Sequence, residues 1–206
     1  PVLVIPPAIL PVTLAEAKAH LRVDHSDEDA LIEGLIAAAT DHLDGWDGVL
    51  GRALVEQTWR QDFDTFGPLL LLPLAPVISI TSVGYTDADG GPATVDSGSY
   101  ALKTDEGGRP YIAFDGVSVS GPVSVTYVAG YATIPEVPAV EPGPGNPPDP
   151  PGSPAIPAQA TVPAAIKAAI LLLVGHWYEH REAVNPGPMA TVPMAVDALI
   201  APYRRV

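Results

Sequence analysis

The stretch Ala164-Ala-Ile-Lys-Ala-Ala-Ile-Leu-Leu-Leu-Val-Gly-His-Trp-Tyr-Glu-His-Arg-Glu-Ala183 decides how this chain is read. Its apolar residues run nearly all round a helix, so it belongs in a core. Its apolar run over 164–174 stops well short of the roughly 20 residues a bilayer span needs. Pro163 sits at the helix entrance and Asn185-Pro-Gly-Pro188 stops it, so the spacing predicts a helix over 164–182. The same stretch contains His176-Trp-Tyr-Glu-His180, the H-x-x-E-H spacing of inverted zinc peptidases. His176 and His180 share a helix face beside Glu179, which suits zinc. A catalytic zinc needs a third protein ligand, however, and only Glu182 and Asp197 follow. Glu182 falls on another side of the helix. Packing and surface histidines are the preferred reading, and no metal or cofactor is assigned.

Working outward, two helices are expected near the start. Thr13-Leu-Ala-Glu16 is a capping box, giving a helix over 13–22 with Leu14, Ala17 and Leu21 as a narrow apolar stripe. Ser26 reads as the cap of a longer helix over 27–46, with Leu31, Leu35, Ile36, Ala39, Leu43 and Trp46 at helical spacing. The acids Asp24, Asp27, Glu28 and Asp29 complement that helix dipole. They fail the EF-hand pattern because Asp29 occupies the glycine position.

The period then changes. Val55, Gln57, Trp59, Gln61 and Phe63 alternate with polar residues along an extended segment. Further strands are expected at 69–72, 78–85, 99–102, 109–114 and 123–128, divided by Asp/Gly turns such as Asp87-Ala-Asp-Gly-Gly91. From 134 to 163 the chain is rich in Pro, Gly and Ala, and the expectation is an extended exposed loop without ladders. A last short helix over 193–200 leads into Ala201-Pro-Tyr-Arg-Arg-Val206. The fold expected from these pieces is α+β, mainly α. It has one domain over 1–206: a helical core, a small antiparallel β unit inserted at 54–130, and the Pro-rich loop.

Composition narrows the function. The 206 residues include 24 acidic and 10 basic ones, a formal charge of −14, and no cysteine. Disulfides and thiolate metal sites are excluded, and a surface this acidic repels phosphate rather than gripping DNA. The opening Pro1-Val-Leu-Val-Ile-Pro-Pro7 lacks the basic region of a signal peptide, so a soluble chain is expected. No P-loop, dinucleotide-binding glycine pattern or nucleophile elbow occurs. At the other end, Tyr203, Arg204 and Arg205 set an aromatic and two cations at the terminus of an acidic chain, and Tyr and Arg are common interface anchors.

Several pieces together resemble the head–tail connector, or adaptor, proteins of long-tailed bacteriophages and gene transfer agents. They are Leu14-Ala-Glu-Ala-Lys-Ala-His-Leu-Arg-Val23 with Asp27-Glu-Asp-Ala-Leu-Ile32, Val125-Thr-Tyr-Val-Ala-Gly-Tyr131, Ile166 to Glu182, and Ala201-Pro-Tyr-Arg-Arg205, in that order. The resemblance implies a non-enzymatic structural virion protein. It implies a ring, usually of twelve copies, at the head–tail interface, assembled in the host cytoplasm, with DNA passing through without specific binding. Its partners would be the portal protein on one side and tail-joining proteins (stopper or terminator side) on the other. Portal docking would fall on Ala201, Pro202, Tyr203, Arg204, Arg205 and Val206. The Pro-rich stretch around 137–160 is longer than the link this family implies. The competing readings are a virion-surface binding module using the sheet and the Pro-rich segment, and a zinc hydrolase on His176, Glu179 and His180.

Overall fold

A computed structural model describes residues 1–139, 155–181 and 194–204. The helices build one core. Helix α1 (Leu14–Leu21) starts where expected: Thr13 Oγ1 accepts from the Glu16 amide at 3.2 Å, while Glu16 Oε2 accepts from the Thr13 amide at 2.8 Å. It ends at Arg22, whose left-handed backbone (φ 58°) turns the chain toward helix α2 (Asp29–Leu43). Ser26 does not cap α2 through its side chain. Its carbonyl accepts from the Asp29 amide, and Glu28 occupies the cap position without a side-chain bond. Helix α3 (Ala164–Glu179) is the apolar stretch of the opening, and it buries Ile166, Ala169, Ile170, Leu173 and Val174. These side chains pack with Ile32, Ile36, Ala39 and Leu43 of α2 and Ala17 of α1. Full burial of each large aliphatic side chain is worth about 1.5–3 kcal/mol, so α3 contributes several such side chains to the stability of this half.

The other half is a β unit with a core of its own. A five-stranded antiparallel sheet runs β1 (Val2–Ile5), β2 (Gln57–Phe63), β8 (Val123–Ala129), β4 (Val77–Thr86), β5 (Pro92–Thr94). A three-stranded sheet runs β3 (Leu69–Leu71), β7 (Pro110–Phe114), β6 (Tyr100–Thr104). Central strand β8 alternates strictly, with Val123, Val125, Tyr127 and Ala129 buried and the residues between them half-buried. That is the period-2 signature of a strand with one face on a core. Trp59 of β2 lies opposite Tyr127 of β8, and Leu70 and Ile112 of the smaller sheet join the same cluster. The cores meet at 53–55, where Ala53 belongs to the sheet cluster and Leu54 and Val55 to the helical one. Gly130 makes the junction possible. Its φ is +117°, and a Cβ there would stand 2.1 Å from the Val55 carbonyl oxygen.

Four expectations are corrected. The chain is not mainly α: 29 % of it is helical and 31 % strand, in ten strands and three antiparallel sheets among the described residues. Helix ends fall inside the apolar pattern, so Trp46 lies outside α2 and is exposed. The β unit, read as small, holds aromatic and aliphatic side chains enough for a full core. It also recruits β1, because Val2-Leu-Val-Ile5 pairs with β2 from outside 54–130. The base of the Pro-rich segment does form ladders. Val137 and Ile156 exchange two backbone hydrogen bonds of 2.8 Å, and β9 (Thr133–Ile134) pairs with β10 (Gln159–Ala160). These residues lie between prolines and keep their own N–H groups, so they can zip where proline cannot.

Candidate functional site

The candidate docking residues continue from a short terminal helix, α4 (Met194–Ile200), which buries Val196 and Ile200 in the helical core. A single tight turn, Ala201–Tyr203, follows. Ala201 and Pro202 are exposed, whereas Tyr203 is half-buried against the helical core. The Arg204 amide donates to the Ile200 carbonyl at 3.1 Å, and its guanidinium reaches back to Asp197 Oδ1 at 2.6 Å. Four of the six expected docking residues are thus folded back on α4 as one structured patch. Arg205 and Val206 lie outside the described residues.

Pro202 and Arg204 form part of the wall of a cleft of about 400 Å3, which also takes in Arg52, Leu72, Arg109 and Pro110. Arg109 stands on the turn between β6 and β7, where Asp105 accepts from its Nε and its amide, each at 2.8 Å. Those donors and the nearby charge hold the Asp105 carboxyl below its ordinary value. Arg52 donates to the Tyr131 hydroxyl at 3.4 Å, and its Nε is buried without an acceptor among the described residues. Neither Arg52 nor Arg109 is signalled in the sequence. They are far from Arg204 along the chain and come together only through the fold; the scarcity of cations is the single clue that could have raised them.

The residues set between and just after the motif's His and Glu, Trp177, Tyr178 and Arg181, are the ones that join the helices. Tyr178 donates its hydroxyl to Glu28 Oε2, Arg181 donates to Glu28 Oε1 at 2.7 Å, and the Arg181 guanidinium lies 4.6 Å from the Tyr178 ring centroid. This clamp joins the end of α3 to the entrance of α2. It lowers the Glu28 carboxyl, chiefly through the Tyr178 hydrogen bond, and raises the Tyr178 phenol in return. The helix ends at Glu179, so His180 leaves it, and its Nδ1 bonds the His176 carbonyl oxygen at 2.9 Å. Glu179 is exposed. Among the described residues no three His, Asp or Glu side chains come together as a metal site; Glu182 lies outside them. The other acidic clusters are likewise partnered: Asp29 pairs with Lys18 at 2.5 Å, and Asp87 accepts from the Asp89 and Gly91 amides in its turn.

At the joint of the two cores, Asp44 closes α2. Its carboxylate accepts from the Leu54 amide at 2.6 Å and from the Gln57 side chain at 3.0 and 3.1 Å. Burial pushes its carboxyl up despite those donors. Exposed apolar side chains concentrate on strands of the β unit: Val2, Leu3, Val4 and Ile5 of β1 are all at least 43 % exposed, and Leu69 and Leu71 of β3 are similarly bare. No helix among the described residues is long and apolar enough to cross a membrane.

With that geometry in place, the comparisons with known proteins can be read. Residues 11–63, about a quarter of the chain, match the model of the phage gp6-like head-tail connector protein family. No curated protein sequence matches. Among solved structures, a chain in the virion of a native gene transfer agent particle superposes with a TM-score of 0.67 at 23 % identity. It covers 99 % of this chain and 96 % of that one. Chains in the neck of an empty gene transfer agent particle computed with C6 symmetry (TM-score 0.65, 22 % identity) and of a native one computed with C12 symmetry (0.60, 21 %) match over the same shares. This chain has the fold of a gene transfer agent neck protein. The likeness spans the length of the chain, helical core and β unit together. The resemblance to head–tail connectors read from the sequence is borne out by both the family model and the fold.

Proposed function

We propose that this chain is a head–tail adaptor: a structural, non-enzymatic component of a virion or gene transfer agent particle that forms a ring in the neck and lets DNA pass. The observation that carries the reading is the match of the whole chain, helical core and β unit together, to neck chains of particles with C6 and C12 symmetry. The physics fits. A ring closed by one surface meeting a different surface leaves apolar side chains exposed on the lone subunit, as on β1 and β3. A chain of net charge −14 offers DNA no grip as it moves. The turn after α4 supplies the portal-side contact, with Tyr203 and Arg204 as its anchors, and tail-joining proteins bind the opposite side.

The test is sedimentation of the chain with its portal ring, comparing full-length protein with a version ending at Ile200. Saturable binding near one chain per portal subunit, lost on truncation, is expected. Because Tyr203 also packs on the helical core, a thermal melt must accompany the truncated version. Binding that survives truncation would move the docking surface away from the tail. Absence of binding by the full-length chain would remove the adaptor reading.

A further inference from the structure

In a chain with 24 acidic and 10 basic residues, cations gathered in one place need an explanation. Arg52, Arg109 and Arg204 come from three separate parts of the chain and line one cleft of about 400 Å3. Two of them carry their own counter-ions: Arg109 pairs with Asp105 at 2.8 Å and Arg204 with Asp197 at 2.6 Å. Arg52 has none among the described residues. Its one side-chain hydrogen bond there goes to a neutral tyrosine hydroxyl at the long distance of 3.4 Å, and its Nε is buried without an acceptor. A guanidinium partly withdrawn from water without a counter-ion is unfavourable, and its planar fork matches an oxyanion such as a carboxylate.

We infer that this cleft receives a carboxylate-bearing segment of a second copy of the chain, with Arg52 as the central contact. The inference rests on the ring reading above and names the basic half of the contact between neighbours. The second copy is the occupant because the chain's own surface supplies what the cleft lacks. Asp24, Asp27, Asp87 and Asp89 are exposed, and in none of them is the carboxylate paired with Lys or Arg among the described residues. A heterologous contact needs a basic face on one subunit against an acidic face on the next.

The chain has no cysteine, so Glu106→Cys, exposed on the turn beside the cleft and outside its lining, can be labelled at one position with a benzophenone maleimide. Unlabelled and 15N-labelled copies are mixed and irradiated, once on the portal ring and once as concentrated free protein. Cross-links that join the two isotopic forms at an acidic segment, in either arm, are the expected result. Cross-links confined to one copy in the free protein, together with cross-links confined to one copy or ending on the portal protein in the other arm, would overturn the inference. In parallel, Arg52→Ala should raise the concentration needed for ring assembly by about tenfold or more, with part of the loss recovered by Arg52→Lys. Normal assembly by a folded Arg52→Ala protein, checked by circular dichroism, would also overturn it. Mixed cross-links in the free-protein arm without portal binding would leave the contact standing and sink only the adaptor reading.

Discussion

Replacing Asp44 by alanine should separate the two halves of this protein energetically. The Asp44 carboxylate is the shared acceptor for the Leu54 amide and the Gln57 side chain, and those residues are 0 % and 3 % exposed. Truncation leaves two buried donors with no acceptor and no ready access to water, at about 1–3 kcal/mol each. Removing a carboxylate whose burial is itself unfavourable offsets part of that, so the expected loss is about 2–4 kcal/mol. Against an m-value of about 2–3 kcal/mol/M in urea, the midpoint should fall by about 1 M or more. Asp44→Asn keeps an acceptor for the Leu54 amide, and a flip of the Gln57 amide can satisfy the new NH2, so its loss should stay below about 1.5 kcal/mol. The pH dependence provides a second reading. Because the folded carboxyl is raised above its ordinary 3.8, the folded state holds this proton more tightly than the unfolded chain. Stability from Asp44 is therefore greatest below 3.8 and declines as pH rises through the raised value. Asp44→Asn lacks that decline and should gain on the wild type between acid and neutral pH. A urea midpoint for Asp44→Ala equal to wild type would refute the account of the joint.

Two further perturbations test other parts of the fold. Glu28→Gln should lower the melting temperature at neutral pH by weakening the clamp from Tyr178 and Arg181. Since the Glu28 carboxyl is lowered in the fold, its contribution is present above the ordinary 4.5 and lost as pH falls through the folded value. The two proteins should converge in acid, and a gap independent of pH would argue against the clamp. Gly130→Ala combines a left-handed backbone with a Cβ 2.1 Å from a carbonyl oxygen, so a loss above about 3 kcal/mol or insoluble expression is expected; a wild-type melt would contradict the described junction.

The parts of this fold that were legible in the sequence are those fixed locally. The Thr13 capping box, the apolar stretch of α3 and the alternation along β2 and β8 each follow from a few neighbouring residues. Helix ends were less legible, because apolar spacing continues past the point where the backbone turns; Trp46 keeps the period of α2 but lies beyond it. Strand β1 was present in the sequence as a β-branched run between prolines, the mark of an edge strand, yet nothing local says which strand it joins. The weight of the β half was hidden for the same reason: Leu70 and Ile112 of one sheet share a core with Trp59 of the other only once the two sheets have packed together. The arginine cleft is wholly a product of the fold. Arg52 and Arg109 stand as lone cations in their stretches of sequence, and no spacing rule links position 52 to 109 and 204.

The pairing of Val2–Ile5 with β2 has a consequence for anyone who would trade parts between proteins of this architecture. Cutting at 54 and 130 looks like the natural way to lift out the β unit, yet it would strip a five-stranded sheet of its border strand and strand an apolar tetrapeptide on the recipient. The heritable module is discontinuous: the opening strand and the middle of the chain have to travel together. A chimera that moves only the middle should misassemble, whereas one that also exchanges the first dozen residues should fold.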